Sequence, residues 1–399
     1  MNLTLLLDLD DTLLDNDINV FIPVYLKALA RRLAQKVPAE KVPAQVLAST
    51  GKMIANRNPL RTLEETFDAD FYAKLGVTRA EVEADIVDFY DNIFPTLSGL
   101  TRPRPAAIRL VEEALSRGAR VVIATNPLFP WRAIYHRLRW AGLAPETHPF
   151  ALITSYEQSH FCKPYPGYFA EILARLGWPE GPVAMVGNSF SDDLLPASRL
   201  NIPVYLIGEG VEMPSGLSPL TRAGDLDEVL PWLEQVAAMG TDQSPLPVDA
   251  YSPVLRSTVA ALDNLCRSLP AERWKARPAP DEWCLTEILC HLRDADSEVN
   301  LPRYRSILTG ENPFLPGIDL DALTQGKSYC EEEGPAALRS FAEKRMEWVS
   351  LLDALAPEDW DLPARHAIFG PTSLRELTGF AVTHDRTHIQ QARATIGLG

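Results

Sequence analysis

The hydrophobic rhythm of the chain changes once along its length. From residue 1 to about 237, short apolar runs alternate with segments of helical period. Residues 3–9, 120–125, 183–187 and 203–207 read as strands, and 105–117, 130–141, 166–176, 192–200 and 226–237 as helices. Strands separated by helices predict βαβ units and a parallel sheet covered on both faces. Between the first strand and the next clear one, residues 18–92 carry helical patterns and no convincing strand. An insertion of that length predicts a second lobe rather than a loop. Residues 238–250 lose all periodicity and contain Gly240, Pro245 and Pro247, as a linker does. Beyond them no strand pattern is found, only amphipathic stretches over 252–269, 284–309, 334–355 and 372–395, which predict a four-helix bundle. The expected fold class is therefore α/β plus all-α: a sheet domain over 1–237 with an inserted lobe at about 18–92, a linker over 238–250, and a bundle over 251–399.

A chain of 399 residues is too long for one ordinary core, which agrees with that division. No apolar run approaches the roughly 20 residues that span a bilayer. The N-terminus, MNLTLLLDLDDTLL, places Asp8, Asp10 and Asp11 where a signal peptide needs an apolar stretch. A cytoplasmic protein without a membrane partner is expected. Five cysteines, an odd number with no C-x-x-C pair, argue against a disulfide framework and read as buried small hydrophobes. A net charge of -15 counts against nucleic acid as a partner, because no basic excess offsets the phosphates.

The chemistry gathers at strand ends. Leu5-Leu6-Leu7 runs into Asp8, and Asp10 follows two residues on. In an open parallel sheet, ligands bind at the carboxyl ends of the strands. Two carboxylates there can divide nucleophilic and acid–base work or hold a hard cation, though by themselves they serve equally well to cap the next helix. The run 121–124 leads into Thr125-Asn126, a hydroxyl and an amide suited to a phosphoryl oxygen. Lys163-Pro164 precedes a helix and supplies a cation for phosphate charge. The run 184–187 leads into Asn188-Ser189 and then Asp192-Asp193.

In this order and context the four segments resemble the motifs of the haloacid dehalogenase-like (HAD) superfamily over residues 1–235, with 18–92 in the place of the helical cap. The resemblance implies a Rossmannoid parallel sheet and a magnesium-dependent phosphohydrolase acting on a small-molecule phosphate ester. It implies Asp8 as the nucleophile that forms an aspartyl-phosphate, and Asp10 as general acid, then base. Thr125, Asn126 and Lys163 would bind the transferring phosphoryl group. Mg2+ would sit among Asp8, the backbone carbonyl of Asp10, Asn188 and Asp193. Asp10 favours phosphate esters over carbon–halogen bonds, since a departing halide needs no proton. One departure stands out: position 188 is Asn where many relatives have Asp. Weaker magnesium binding is expected, with Asp193 and Asp192 carrying more of the charge. In the insertion, Lys52, Arg57 and Arg61 read as solvated charges, with a substrate anion as their other use. Trp131 and His136 read as packing residues.

A second constellation lies in the bundle. His384 and His388 are four apart on one helix and share a face, an arrangement that suits a metal ion or a simple hydrogen-bonded pair. His291 lies in an apolar stretch and is expected to face inward. Three converging imidazoles make an open site for Zn, Ni or Fe, among which ligand type alone does not choose. Glu282-Trp283, Glu287-Ile288, His291-Leu292, Asp294 and the pair His384 and His388 resemble the DinB-like superfamily over 252–395. The resemblance implies His291, His384 and His388 as ligands of a divalent transition metal. It also implies a transferase or hydrolase reaction with a low-molecular-weight thiol. Cys284 stands where a hydroxyl usually caps the helix opposite a residue like Glu287, so a weaker helix start is expected. The competing expectation is a binding or dimerisation module, hence a homodimer, with catalysis confined to the first domain.

Overall fold

A computed structural model describes every residue except 209, 211, 212, 243, 319–323, 325 and 399. The chain divides into two compact units, residues 1–169 with 179–244 and residues 170–178 with 245–399.

The first unit opens with β1 (Thr4–Leu7), whose leucines have no exposed surface. After β2 (Leu14–Asp15) come four helices: α1 (Ile18–Leu33), α2 (Val42–Ala55), α3 (Leu63–Leu75) and α4 (Arg79–Asp88). A π turn (Phe89–Ile93) and a 3-10 turn (Phe94–Leu100) lead into β3 (Arg102–Pro103). β3 pairs antiparallel with β2, so a two-stranded ribbon closes the insertion at its root. There follow α5 (Pro105–Ser116), β4 (Arg120–Ile123), α6 (Trp131–Trp140), β5 (Leu152–Ile153), α7 (Pro166–Arg175, which the division into units cuts after residue 169), β6 (Val183–Gly187), α8 (Leu195–Ser198), β7 (Val204–Ile207), β8 (Arg222–Gly224) and α9 (Val229–Met239). The sheet has the order β5-β4-β1-β6-β7-β8 and is parallel throughout. β1 lies at its centre, which explains a strand without polar positions: both of its faces are covered.

The inserted lobe is a helical cap with its own core, in which Phe21, Phe71, Phe89 and Phe94 are buried. Its helices begin where the chain provides caps. Asp17 accepts from Asn19 N at 2.9 Å ahead of α1, and Thr62 and Glu65 form a reciprocal capping box ahead of α3. Gly76, at φ 71°, ends α3 in the left-handed conformation that a side chain disfavours.

β5 and β8 were not anticipated, because they span two and three residues with partly exposed side chains and carry no apolar run. The helix expected over 192–200 is present as a π turn (Phe190–Leu194) that continues into the short α8.

The second unit contains α10 (Val248–Cys266), α11 (Leu285–Asp294), α12 (Leu301–Thr309), β9 (Phe314–Leu315), α13 (Gly334–Asp353), β10 (Pro363–His366), β11 (Gly370–Ser373) and α14 (Leu374–Thr395). A π turn (Ala295–Asn300) joins α11 to α12, so the four predicted amphipathic stretches are all helical. The expectation of no strand beyond residue 250 is wrong: β11-β10-β9 form a small sheet. β10 alternates exposed and buried over only four residues, too few to register as a strand pattern. Its stability comes from pairing with β11 across a turn that Gly370 enters at φ 75°. No described helix is long and apolar enough to cross a membrane.

Candidate functional site

The sheet register assembles the first site. Leu7 pairs with Ile123 on one side and Val186 on the other. The residues just beyond those three strand ends, Asp8, Thr125 and Asn188, therefore meet at one edge. Asp8 N donates to Val186 O at 2.9 Å, and Ala124 N donates to Leu7 O at 2.7 Å, which holds the strand ends level. Lys163 arrives from the loop before α7 and is buried. Its ammonium donates to Asp8 Oδ1 at 2.7 Å and to Asp193 Oδ1 at 2.6 Å. Asp193 is fixed from its other side by Ser189 N, at 2.9 Å from Oδ2. Gly187 makes this approach feasible, since a Cβ there would lie 2.3 Å from Asp193 Oδ2.

Burial alone would lower the Lys163 pKa, but Asp193 and Asp8 outweigh it and hold the ammonium above its ordinary value. Burial pushes the Asp193 carboxyl up, and Lys163 opposes that rise. The hydroxyl of Thr125 and the amide oxygen of Asn126 are buried without a hydrogen-bond partner. Meanwhile the Thr125 carbonyl accepts from Tyr168 OH at 2.7 Å and Thr154 Oγ1 at 2.8 Å. The backbone is thus held while the side-chain hydroxyl stays available. An unpaired buried hydroxyl is costly, and this one remains available to a further hydrogen-bonding partner.

Asp10 accepts from Asn16 Nδ2 at 2.8 Å and forms an ion pair with Arg137 of α6. Burial brings the Arg137 guanidinium down to about 10, with Asp8 opposing, so it remains cationic at neutral pH. Thr12 Oγ1 donates to Asp8 Oδ2 at 3.2 Å and lies 3.4 Å from Asn188 Oδ1. Asp8, Asp10, Asp11, Asp192 and Asp193 line the adjoining cavity against one lysine, Lys163. A dianionic phosphate is repelled by such a floor unless a further cation is present. The donors that face it, carboxylate and amide oxygens, are those a small hard ion prefers, so the residues fit magnesium.

The second site lies wholly within the bundle. His291 on α11 meets His384 and His388 on α14. His384 Nε2 lies 3.0 Å from His291 Nε2 and 3.1 Å from His388 Nε2, so three nitrogens point at one locus. His388 Nδ1 is paired with Gln391 Oε1 at 2.8 Å, which orients the ring. The Trp283 ring stacks on His388 with centroids 5.8 Å apart. His291 and His388 are buried, and His384 is partly exposed. Burial first, then the neighbouring imidazoles, draws His291 down to about 3 and His384 to about 4. Neutral imidazole is the form that binds metal, so this donor set fits a transition metal with an open position.

Behind the histidines, Arg345 of α13 is buried between two carboxylates. Its Nε donates to Asp296 Oδ2 at 2.6 Å and its Nη2 to Asp385 Oδ1 at 3.0 Å. Asp385 follows His384 directly, so this pairing fixes the helix that carries two of the three ligands. Asp294 accepts from Arg293 Nε and Lys327 Nζ, each at 2.7 Å. At the start of α11, Glu287 accepts from Cys284 N at 2.8 Å, while Cys284 Sγ lies 3.4 Å from Cys330 Sγ.

Asp8, Asp10, Asn126, Lys163, Asn188 and Asp193 thus share one cavity lining, with Thr125 beside them. Lys52, Arg57 and Arg61 do not line it and lie on exposed surface, where the Arg57 guanidinium sits 4.0 Å above the Tyr165 ring. Trp131 is 39% exposed rather than packed, a correction, whereas His136 is half-buried beside Phe94. Thr12, Arg137, Gln391 and Arg345 were not singled out from sequence. Thr12 and Gln391 had a local signal, Thr12 lying four residues after Asp8 and Gln391 one helical turn after His388. Arg137 and Arg345 had none, being cations on ordinary amphipathic helices.

Residues 3–201 match the haloacid dehalogenase-like hydrolase family, and residues 255–392 match the DinB superfamily. No curated protein matches the sequence significantly. Among solved structures, the chain is similar to the putative HAD-hydrolase YfnB from Bacillus subtilis bound to magnesium, at 22% identity over 58% of this chain and 97% of that one, with a TM-score of 0.36. It is also similar to a HAD phosphatase from Thermococcus onnurineus, at 18% identity over 59% of this chain and 99% of the other, TM-score 0.37. The bundle is similar to YfiT from Bacillus subtilis, described as a probable metal-dependent hydrolase with an unusual four-helix bundle topology. That match has 20% identity over 37% of this chain and 85% of that one, TM-score 0.34.

Proposed function

Because the chain joins a haloacid dehalogenase-like hydrolase domain to a DinB superfamily domain, we propose that its first unit is a magnesium-dependent phosphatase working through Asp8. One observation carries this reading: Lys163 bridges Asp8 and Asp193 beside a buried Thr125 hydroxyl that has no partner. That is a nucleophile, a charge neutraliser and an oxygen anchor at a single strand edge.

In the proposed reaction, Asp8 attacks the phosphorus of a phosphate monoester. The bond to the ester oxygen breaks, and an aspartyl-phosphate forms on Asp8. Thr125 and the Asn126 amide hold phosphoryl oxygens, and Lys163 neutralises charge as it shifts. Asp10 protonates the departing alkoxide. It then takes a proton from the water that attacks phosphorus, releasing inorganic phosphate and restoring Asp8. Asp10 enters the first half as the neutral carboxylic acid, which requires its contact with Arg137 to loosen, and the ion pair with Arg137 forms again once its proton has passed to the alkoxide. Magnesium, held by Asp8, the Asp10 carbonyl, Asn188 and Asp193, would supply the positive charge that the acidic floor lacks.

For the second unit we propose a divalent transition metal bound by His291, His384 and His388. The partial exposure of His384 favours a reacting ligand, such as a low-molecular-weight thiol, over a closed structural site.

The phosphatase reading is tested with Asp8→Asn, whose neutral amide is a poor nucleophile. Magnesium-dependent hydrolysis of an aryl phosphate should fall by several decades while the protein stays folded. A folded Asp8→Asn protein that keeps most of its activity sinks the assignment.

A further inference from the structure

Above the acidic floor, the cavity of about 380 Å³ is walled by the cap. Ile22, Leu26 and Leu29 of α1, Val46 of α2, and Phe67 and Phe71 of α3 form the wall. From Ile18 to Tyr90, no charged side chain lines it. The hydroxyls of Tyr25 and Tyr90 are 2.9 Å apart and hydrogen-bond to each other rather than standing free toward the cavity. Two of the cap's arginines are engaged in ion pairs, Arg32 with Asp85 and Asp88, and Arg79 with Glu64 and Asp68. The cavity is therefore polarised, with its charged lining at the sheet edge and a roof of aliphatic and aromatic side chains, where Thr50, whose hydroxyl donates to Val46 O, and the rings of Tyr72 and Tyr156 add the remaining polar atoms.

We propose that the substrate is a monophosphate ester of an apolar alcohol, with the phosphoryl group at Asp8 and the hydrocarbon against the cap. This rests on the phosphatase reading above. A sugar or nucleoside would place several hydroxyls against leucine and phenylalanine, and each buried hydroxyl without a partner is costly. A substrate with a second anion would find no cation in the roof. A cavity of about 380 Å³ falls within the range of ordinary small-ligand sites, room for a phosphoryl group and an aglycone of about six to eight heavy atoms.

The test is kcat/KM for methyl, butyl, hexyl and octyl phosphate with the full-length protein and magnesium, beside glucose 6-phosphate. Each methylene that enters the wall should raise kcat/KM about fourfold, equivalent to ~0.8 kcal/mol, with a plateau once the cavity is full. Phe71→Ala, which deepens the roof, should move the plateau to a longer chain. Leu26→Arg should lower hexyl phosphate turnover and favour phosphoglycolate, which carries a second anion. A flat profile from methyl to hexyl, or a preference for glucose 6-phosphate, overturns the substrate class and leaves the phosphatase standing. Turnover of none of these esters overturns both.

Discussion

Replacing Lys163 by methionine removes the one cation placed between Asp8 and Asp193. Its ammonium lies 2.7 Å from one carboxylate and 2.6 Å from the other, and lysine and both acids are buried. Methionine fills much of the same volume, so the loss is chiefly electrostatic. Two unit charges about 5 Å apart repel by about 3 kcal/mol at an effective dielectric near 20. Breaking a buried ion pair by removing one partner costs about 3–5 kcal/mol in general, so the two approaches agree. Part of the cost will be relieved by protonation of Asp193, whose pKa burial already raises. Native-state hydrogen exchange on the full chain reads the effect where it belongs, at the amides of β1 and β6, without assuming that two domains unfold together. In metal-free buffer their opening free energy should fall by about 3 kcal/mol. Added magnesium should restore more protection in Lys163→Met than in the parent, because it then replaces the counter-charge that Lys163 provided. Phosphatase activity should drop by about a hundredfold or more. Unchanged protection at β1 and β6, together with less than a tenfold loss of activity, would refute the placement of Lys163 between the acids.

Asn188→Asp should tighten magnesium, because a charged oxygen replaces a neutral one; a titration of activity against magnesium in which the midpoint does not fall removes Asn188 from the ion's surroundings. His291→Ala and His384→Ala should each empty the bundle's metal site by elemental analysis of untagged protein. His366→Ala should keep the metal, because His366 accepts from Ile368 N and Phe369 N instead of joining the cluster. With His291 near 3 and His384 near 4, both below an unfolded value of about 6.5, folding disfavours their protonation. The metal-free bundle should therefore keep full stability above pH 6.5 and lose it as pH falls toward 4, while metal occupancy at pH 5.5 should match that at pH 7.5. Half-loss of metal near pH 6 would show that the imidazoles titrate as exposed groups do. Arg345→Met should destabilise the bundle by about 3–5 kcal/mol, since Asp296 and Asp385 would be buried facing no cation. Urea denaturation within 1 kcal/mol of the parent would contradict this.

Much of this was legible in the order of residues because the key groups stand immediately after apolar runs. Asp8, Thr125 and Asn188 each follow a buried strand, and strand ends of a parallel sheet coincide in space once the register is set. His384 and His388 were legible for a similar reason, since a helix places residues four apart on one face. Position alone determined those groupings.

The remainder depended on which side of an element meets which neighbour. Arg137 sits in α6 among Arg132 and Arg139, and only packing buries it against Asp10 while the other two pair with Asp91 and Glu146 at the surface. Arg345 is likewise one cation among several on α13 until Asp296 and Asp385 enclose it. β9 to β11 are too short to carry a period and exist because they pair with one another. The apolar roof follows the same rule. The sequence by itself determined an alternation of strands and helices followed by a helical region, a row of polar strand-end residues and a histidine pair, because those follow from local periodicity. Only the tertiary structure decided that the cap turns its leucines and phenylalanines, and none of its lysines or arginines, toward Asp8, because a cavity's polarity is set by how helices distant in sequence rotate against one another.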